Sequence, residues 1–212
     1  MHTNTGLNNS ITGIILAGGV SKRLGYKNKA LLKIGNKTII ERVIDALSKM
    51  TEDVIIITNS PSEFKHLKMP MYNDIISNAG PLGGIYTGLT ISNTYYNLVI
   101  ACDMPFIQSY ILELLVCRIE DNDIVIPVTP DGYHPLCAIY SKKCIDYIKL
   151  LIDSGNLKVA NLFNYMKVNK VDFPVYDECE LNAFFNINTN EDYLRAISLA
   201  ENYDFICLKN NS

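Results

Sequence analysis

Ile11-Thr12-Gly13-Ile14-Ile15-Leu16-Ala17-Gly18-Gly19-Val20-Ser21-Lys22-Arg23-Leu24-Gly25-Tyr26-Lys27-Asn28-Lys29 is the stretch on which the fold turns. Its first part, Ile11 to Ala17, is a short apolar run that stops at Gly18-Gly19. A run of that length, closed by a glycine turn, reads as a strand buried on both faces. Its second part is basic and punctuated by glycine. Gly18, Gly19 and Gly25 let backbone N–H groups approach a phosphate closely, and Arg23 and Lys29 supply charge. The loop is not a Walker loop, because no Gly-Lys-Ser/Thr follows, and it is not a GxGxxG turn. A plain glycine turn with solvated lysines is the simpler reading, and the density of basic residues argues against it.

The charge pattern around this stretch supports an anion site. The chain has 212 residues with 19 Lys plus Arg against 22 Asp plus Glu, a net charge of −3. Lys22, Arg23, Lys27, Lys29, Lys33 and Lys37 all precede Glu41, the first acid. A positive leading segment on an acidic body points to a local anion site, and the negative total argues against a nucleic-acid binder. No apolar run approaches the ~18 residues of a membrane span. Met1 to Ser10 are polar and Asn-rich without an apolar core, so no secretory signal is expected and a flexible lead-in is. The six cysteines form no CxxC pair and only three His exist, which excludes a zinc site of the usual spacing. Reduced thiols in a cytoplasmic setting are expected. Cys102, Cys117 and Cys137 lie inside apolar patterns and are expected to pack as small hydrophobes.

Further along, Thr38 and Glu41 form a capping-box pattern ahead of Ile40, Val43, Ile44, Leu47 and Met50 at helical spacing. Val54 to Ile57 is the next buried strand, closed by the turn cluster Thr58-Asn59-Ser60-Pro61. An extended piece, Pro70 to Asp74, leads to Gly80-Pro81-Leu82-Gly83-Gly84 and a helix over Ile85 to Ser92. Leu98 to Ala101 is a strand running into Cys102-Asp103-Met104-Pro105. Ser109 reads as the cap of a helix over Ile111 to Ile119. Ile124 to Ile126 and Leu136 to Tyr140 read as strands, Cys144 to Ile152 and Val159 to Tyr165 as helical stretches. Phe184 to Asn188 reads as a late strand that puts Asn186 and Asn188 on one face, and Thr189 with Asp192 caps a final helix through Glu201. Strands alternating with helices predict a three-layer α/β/α fold around a mostly parallel, Rossmann-like sheet.

The loop resembles the signature of nucleotidylyltransferases with the nucleotide-diphospho-sugar-transferase fold. Leu16-Ala17-Gly18-Gly19, then Ser21, Arg23, Gly25, Lys29 and the Ala30-Leu31-Leu32 tail carry that resemblance. Four later motifs narrow it to the molybdenum cofactor guanylyltransferase family. They are Gly80-Pro81-Leu82-Gly83-Gly84-Ile85, Cys102-Asp103-Met104-Pro105-Phe106, His134-Pro135-Leu136 and Phe185-Asn186-Ile187-Asn188-Thr189. The resemblance runs from about Ile11 to Ala200 and implies a single nucleotidyltransferase domain over residues 1–212, with 1–10 and 209–212 as flexible tails. It implies that Leu16, Ala17, Gly18 and Gly19 contact a guanine nucleotide. It places Lys29 on the phosphates, with Arg23 as a second catalytic cation, and Asp103 on magnesium. It sets Asp74 at the base or ribose, a further contact just after the second strand at Thr58 or Asn59, and Asn186 and Asn188 on the pterin and metal side. Asn28 departs from the family, which usually has Asp before the lysine.

The residues support part of this independently. A carboxylate at a strand end, such as Asp103, is either a turn cap or an Mg²⁺ ligand, since Mg²⁺ takes one or two carboxylates plus phosphate oxygens and water. Asp74 is either a turn acid or part of the site. His134 reads as a structural or surface histidine and is assigned no catalytic role. Tyr26 is either an exposed loop residue or a stacking platform. No Ser-His-Asp or Cys-His arrangement is visible, and none is needed, because a phosphate acceptor with a second pKa of ~6 is already largely dianionic. The resemblance therefore implies transfer of GMP from GTP to the terminal phosphate of Mo-molybdopterin, with Mg²⁺ and release of pyrophosphate. Molybdoenzyme apo-proteins or their chaperones are implied as partners, and neither nucleic acid nor membrane is. A molybdenum cofactor cytidylyltransferase, another nucleotidylyltransferase of this fold, or a non-catalytic nucleotide- or pterin-binding protein are the alternatives. The choice of GTP over CTP rests on the resemblance alone.

Overall fold

The computed structural model describes residues 11–18, 28–173 and 182–207. The expected tails, Gly19, Arg23 and Tyr26 lie outside them. The strands are β1 (Ile11–Leu16), β2 (Lys33–Ile34), β3 (Lys37–Thr38), β4 (Val54–Ile57), β5 (Met71–Tyr72), β6 (Tyr96–Ala101), β7 (Ile124–Thr129), β8 (Gly132–Tyr133), β9 (Cys137–Ser141) and β10 (Val168–Asp172). The helices are α1 (Ile39–Ser48), α2 (Pro61–Phe64), α3 (Gly80–Ile91), α4 (Ser109–Val116), α5 (Cys144–Asp153) and α6 (Asn190–Cys207), with 3₁₀ turns at Lys29–Leu31, Lys65–Leu67 and Val159–Asn164.

The main sheet has the order β10-β7-β9-β6-β1-β4-β5, with β8 paired to β7 and β2-β3 forming a separate hairpin. β1, the strand of the opening stretch, is central and runs parallel to both β4 and β6. β9 lies antiparallel between β6 and β7, so the sheet is mixed, although most of its pairs are parallel. Side chains alternate across a strand, and the two faces of β1 separate accordingly. Ile15 joins Ile40, Val43, Leu47, Ile111 and Leu115 on the α1 and α4 side. Ile14 joins Leu82, Ile85, Leu89, Ile148 and Leu151 on the α3 and α5 side. These are the three expected layers. A third cluster, with Ile34, Ile39, Phe106, Ile187 and Ala196, seats α6 against the hairpin.

The capping box at the head of α1 forms as the sequence predicts: Glu41 N–H bonds Thr38 Oγ1 while Thr38 N–H bonds Glu41 Oε2 at 2.7 Å. Other expectations are corrected. α3 begins at Gly80, five residues before the expected start, with Pro81 in its first turn, where the missing N–H costs no helix bond. Ser109 is the first residue of α4 and not its cap, and Gln108 in the cap position makes no side-chain cap bond. Phe184 to Asn188 is not a strand: Phe185 N–H closes a turn on Asn182 O, Asn186 Nδ2 bonds Phe184 O, and Ile187 N–H bonds Asp103 O. Val159 to Asn164 is a 3₁₀ turn. Cys102 and Cys137 are buried as expected, but Cys117 is exposed, because α4 ends one residue before it and leaves it on the outer turn.

Candidate functional site

A cavity of about 440 Å³ opens at the carboxyl ends of β1, β4 and β6, the end at which open α/β sheets bind ligands. Leu16 and Gly18 from β1, Ile57 and Asn59 from β4, Asp74 after β5, and Ala101, Cys102 and Asp103 from β6 line it. Lys29 reaches in from the 3₁₀ turn, and Gly80, Pro81 and Gly84 bring in the first turns of α3. Ala17 lies behind this surface, buried, with its N–H spent on Ile57 O at 2.9 Å. Of the two candidates after β4, Asn59 lines the cavity, whereas Thr58 is buried and its hydroxyl accepts from Ser60 N–H.

Lys29 and Asp103 meet at the centre. Lys29 Nζ lies 2.5 Å from Asp103 Oδ2, and the two side chains are only 17% and 14% exposed. Lys29 Nζ also donates to Asn188 Oδ1 at 3.2 Å. Asn28 sets the turn that aims Lys29, its Oδ1 accepting from Ala30 N–H at 3.2 Å while its Nδ2 donates to Glu63 Oε2 at 2.9 Å. The other oxygen of Asp103, Oδ1, is buried and has no hydrogen-bond partner among the described residues. A buried carboxylate oxygen left so is costly, and it is a position a cation would satisfy. Burial, then the Asp103 charge, pushes the adjacent Cys102 thiol up to about 12, so it is inert.

Asn59 and Asp74 form the far wall as a reciprocal pair: Asn59 Nδ2 donates to Asp74 Oδ2 at 2.8 Å, and Asp74 N–H donates to Asn59 Oδ1 at 3.1 Å. On the other side of Asp103 lies a second cavity of about 260 Å³, lined by Asp103, Met104, Tyr133, His134, Pro135, Leu136, Cys137, Asn186 and Asn188. Asp103 and Leu136 belong to both cavities, so the two meet at the carboxylate. Asn186 and Asn188 reach it from an irregular segment held by α6. There the Asp192 carboxylate accepts from the N–H groups of Asn188 and Thr189, bonds that outweigh burial and hold Asp192 below its ordinary 3.8.

The structure thus brings together Leu16, Gly18, Lys29, Asn59, Asp74, Asp103, Asn186 and Asn188. The sequence reading missed the α3 N-terminus, although Pro81 in a first turn was a signal for it. An α-helix presents unpaired N–H groups and partial positive charge at that end, which suits an anion. Gly80, with φ +57°, makes the entry, and Gly88 lets α3 lie close to β1, since a Cβ there would sit 2.6 Å from Ile14 Cγ2. Asn78, at φ +60°, joins the wall just before the helix.

Residues 13–167 match the model of the MobA-like NTP transferase domain. A probable molybdenum cofactor guanylyltransferase of Clostridium perfringens (strain 13 / Type A) is 41% identical over 84% of this chain and 92% of its own. The molybdenum cofactor guanylyltransferase of Desulfosudis oleivorans is 33% identical over 88% and 94%. Among solved structures, the molybdopterin-guanine dinucleotide biosynthesis protein A of Archaeoglobus fulgidus superposes with a TM-score of 0.75, at 27% identity, over 91% of this chain and all of that one.

Proposed function

The chain belongs to the MobA-like NTP transferase family, and from that membership we propose that it transfers GMP from GTP to the terminal phosphate of Mo-molybdopterin, releasing pyrophosphate. The observation that carries the reading is the meeting of two cavities at one carboxylate, Asp103, beside one lysine. The larger takes the nucleotide and the smaller the acceptor. Asp74 offers a carboxylate to the base or ribose, as the resemblance implies, with the Asn59 amide bonded to it. The phosphates lie towards Gly18, Lys29 and the first turn of α3. Asn186 and Asn188 face the acceptor phosphate and its pterin. Arg23 and Gly19, outside the described residues, complete the phosphate loop on the resemblance alone.

The lone Oδ1 of Asp103 fits a divalent cation. Among the described residues no group of three or more His, Cys, Asp or Glu surrounds it. Mg²⁺ at Asp103 would take its other ligands from phosphate oxygens and water, as that ion commonly does. When bound, it would offset charge on the phosphates. Lys29 leaves Asp103 for the phosphates as the nucleotide enters, and stabilises the negative charge that develops there. The acceptor phosphate, largely dianionic at pH 7, needs no strong base; the protein aligns it with the α-phosphorus.

We read the chain as one catalytic domain, because Asn186 and Asn188, beyond the stretch matched to the family model, fold back onto Lys29 and Asp103. Among the described residues no helix is long and apolar enough to cross a membrane. The free thiols of Cys102, Cys117, Cys137 and Cys144 suit a cytoplasmic setting. Molybdoenzyme apo-proteins or their chaperones would receive the product. The test is incubation with Mo-molybdopterin, Mg²⁺ and either GTP or CTP, with pyrophosphate release and the mass of the dinucleotide as readouts. GTP is expected to be consumed far faster; equal or better use of CTP would make the chain a cytidylyltransferase.

A further inference from the structure

His134 is one of three histidines in the chain, and the reaction described above gives it no task. It stands between β8 and β9, its N–H bonded to Pro127 O at 3.2 Å and its carbonyl accepting from Cys137 N–H at 3.0 Å. Its ring is fixed on two sides. Nε2 lies 2.8 Å from Thr129 Oγ1. One face stacks on Phe184, with centroids 4.5 Å apart and planes 25° apart. Phe184 is itself a rigid plate, 5% exposed and held edge-on by Phe173.

His134 lines the acceptor cavity, and Phe184 does not. His134 also lines a smaller cavity, which it shares with Thr129, Asp131 and Phe184, so it stands between the two. Around it the acceptor cavity offers the amides of Asn186 and Asn188, then Asp103. Tyr133 stands on the same wall, its ring against Phe163 at 6.0 Å and beneath Lys170 Nζ at 5.1 Å. Burial lowers the pKa of His134, with Asp131 opposing, so the ring is neutral at pH 7. A neutral imidazole held in one orientation by a hydroxyl and an aromatic plate is a pre-formed stacking surface for a flat heterocycle.

We propose that His134 is a substrate-binding residue whose ring face opposite Phe184 stacks against the planar pterin end of the acceptor, while the acceptor's phosphate reaches Asp103 and Lys29. The proposal rests on the reaction assigned above and deepens it. It makes the ring, as well as the phosphate, a determinant of which acceptor is used. Thr129 acts through His134 as a positioning residue.

The test compares His134→Ala, His134→Phe and Thr129→Val with the wild type. It measures the KM for Mo-molybdopterin, GTP affinity by calorimetry, and thermal melts. Loss of one stacked ring face should raise the acceptor KM about tenfold in His134→Ala. GTP affinity should be unchanged, His134→Phe should recover most of the loss, and Thr129→Val should fall between. An acceptor KM that stays at the wild-type value in His134→Ala overturns the proposal. So does an equal loss for both substrates alongside a lowered melt, the pattern of a merely structural histidine. Quenching of pterin-6-carboxylate fluorescence is a second readout that needs no turnover. Quenching by the wild type, lost in His134→Ala, without transfer to Mo-molybdopterin in the wild type, would overturn the reaction and keep the ring site. Transfer with the acceptor KM unmoved in His134→Ala would overturn the ring site and keep the reaction.

Discussion

Lys29 and Asp103 are each other's counter-ion, and on the proposed reaction each would also serve the substrate, a double duty that would govern how each responds to substitution. Lys29→Ala removes a charge-assisted contact, typically about 1.5–3 kcal/mol, so GTP affinity or turnover should fall at least ~10-fold. Calorimetry with Mg²⁺–GTP checks this, and unchanged affinity would remove Lys29 from the phosphate site. Asp103→Asn should act in the opposite sense on metal-free GTP: with the carboxylate gone, Lys29 is released and affinity should hold or rise. Transfer should fall and its Mg²⁺ requirement move to higher concentration. A normal magnesium curve with a lowered melt would instead make Asp103 a turn cap. Asn28→Asp is a subtler case. Aspartate can still accept from Ala30 N–H, so Lys29 keeps its aim and turnover should stay within a few-fold. The donor to Glu63 is lost, however, and two carboxylates then face each other. Stability should drop by about 0.5–1 kcal/mol and return when Glu63→Gln is added. A double variant no more stable than Asn28→Asp would show that the Glu63 contact is immaterial.

Helix α3 carries the element-scale lesson. Its glycines are poor helix formers, each costing ~1 kcal/mol against alanine in a helix interior. Propensity therefore placed the expected start at Ile85, past the glycine cluster. Packing overrides it. Gly84 would bring a Cβ within 3.0 Å of Leu16 Cδ2, and Gly88 within 2.6 Å of Ile14 Cγ2. A close helix is what carries Gly80 and Pro81 to the cavity. Gly88→Ala should therefore lose more to overpacking, ~1–3 kcal/mol, than it gains in propensity. Chemical denaturation should show a net loss, partly recovered by Ile14→Val. Stabilisation would mean that the sheet yields easily there.

At the scale of the whole molecule, binding and folding report on each other. At a Mg²⁺–GTP concentration of 100 Kd the stability gain is ~2.7 kcal/mol, worth roughly 5–10 °C in a chain of this size. GTP or Mg²⁺ alone should shift the melt much less, since GTP alone takes Lys29 and leaves Asp103 unpaired, and Mg²⁺ alone lacks the phosphate oxygens that complete its ligands. Equal shifts from GTP with and without metal would contradict that coupling. The strand-end positions of Gly18, Asn59 and Asp103 at the cavity were legible in the sequence because Ile14 to Ala17, Val54 to Ile57 and Leu98 to Ala101 are apolar runs, each followed by a turn or polar signal. Reversal of β9 was not legible, because period and composition carry no direction. The same holds for Phe184 to Asn188, where alternation suggested a strand but the N–H of Ile187 is taken by Asp103 O. Asn186 and Asn188 still reach the acceptor cavity, held by turns and by the α6 cap.

The pairing of Lys29 with Asn188 has a consequence in time. The two lie 159 positions apart, and Asp103 stands between them in the chain. Contacts of such long separation close late in folding, and synthesis runs from the N-terminus. A chain emerging from the ribosome therefore carries Lys29 and Asp103 long before it carries the asparagine that accepts a bond from the lysine. The segment just ahead of α6, which carries Asn186 and Asn188, follows both Lys29 and Asp103. On the proposed reaction, a nucleotide that meets a chain made only as far as Asp103 would find the lysine and the carboxylate but not Asn186 or Asn188 to hold an acceptor.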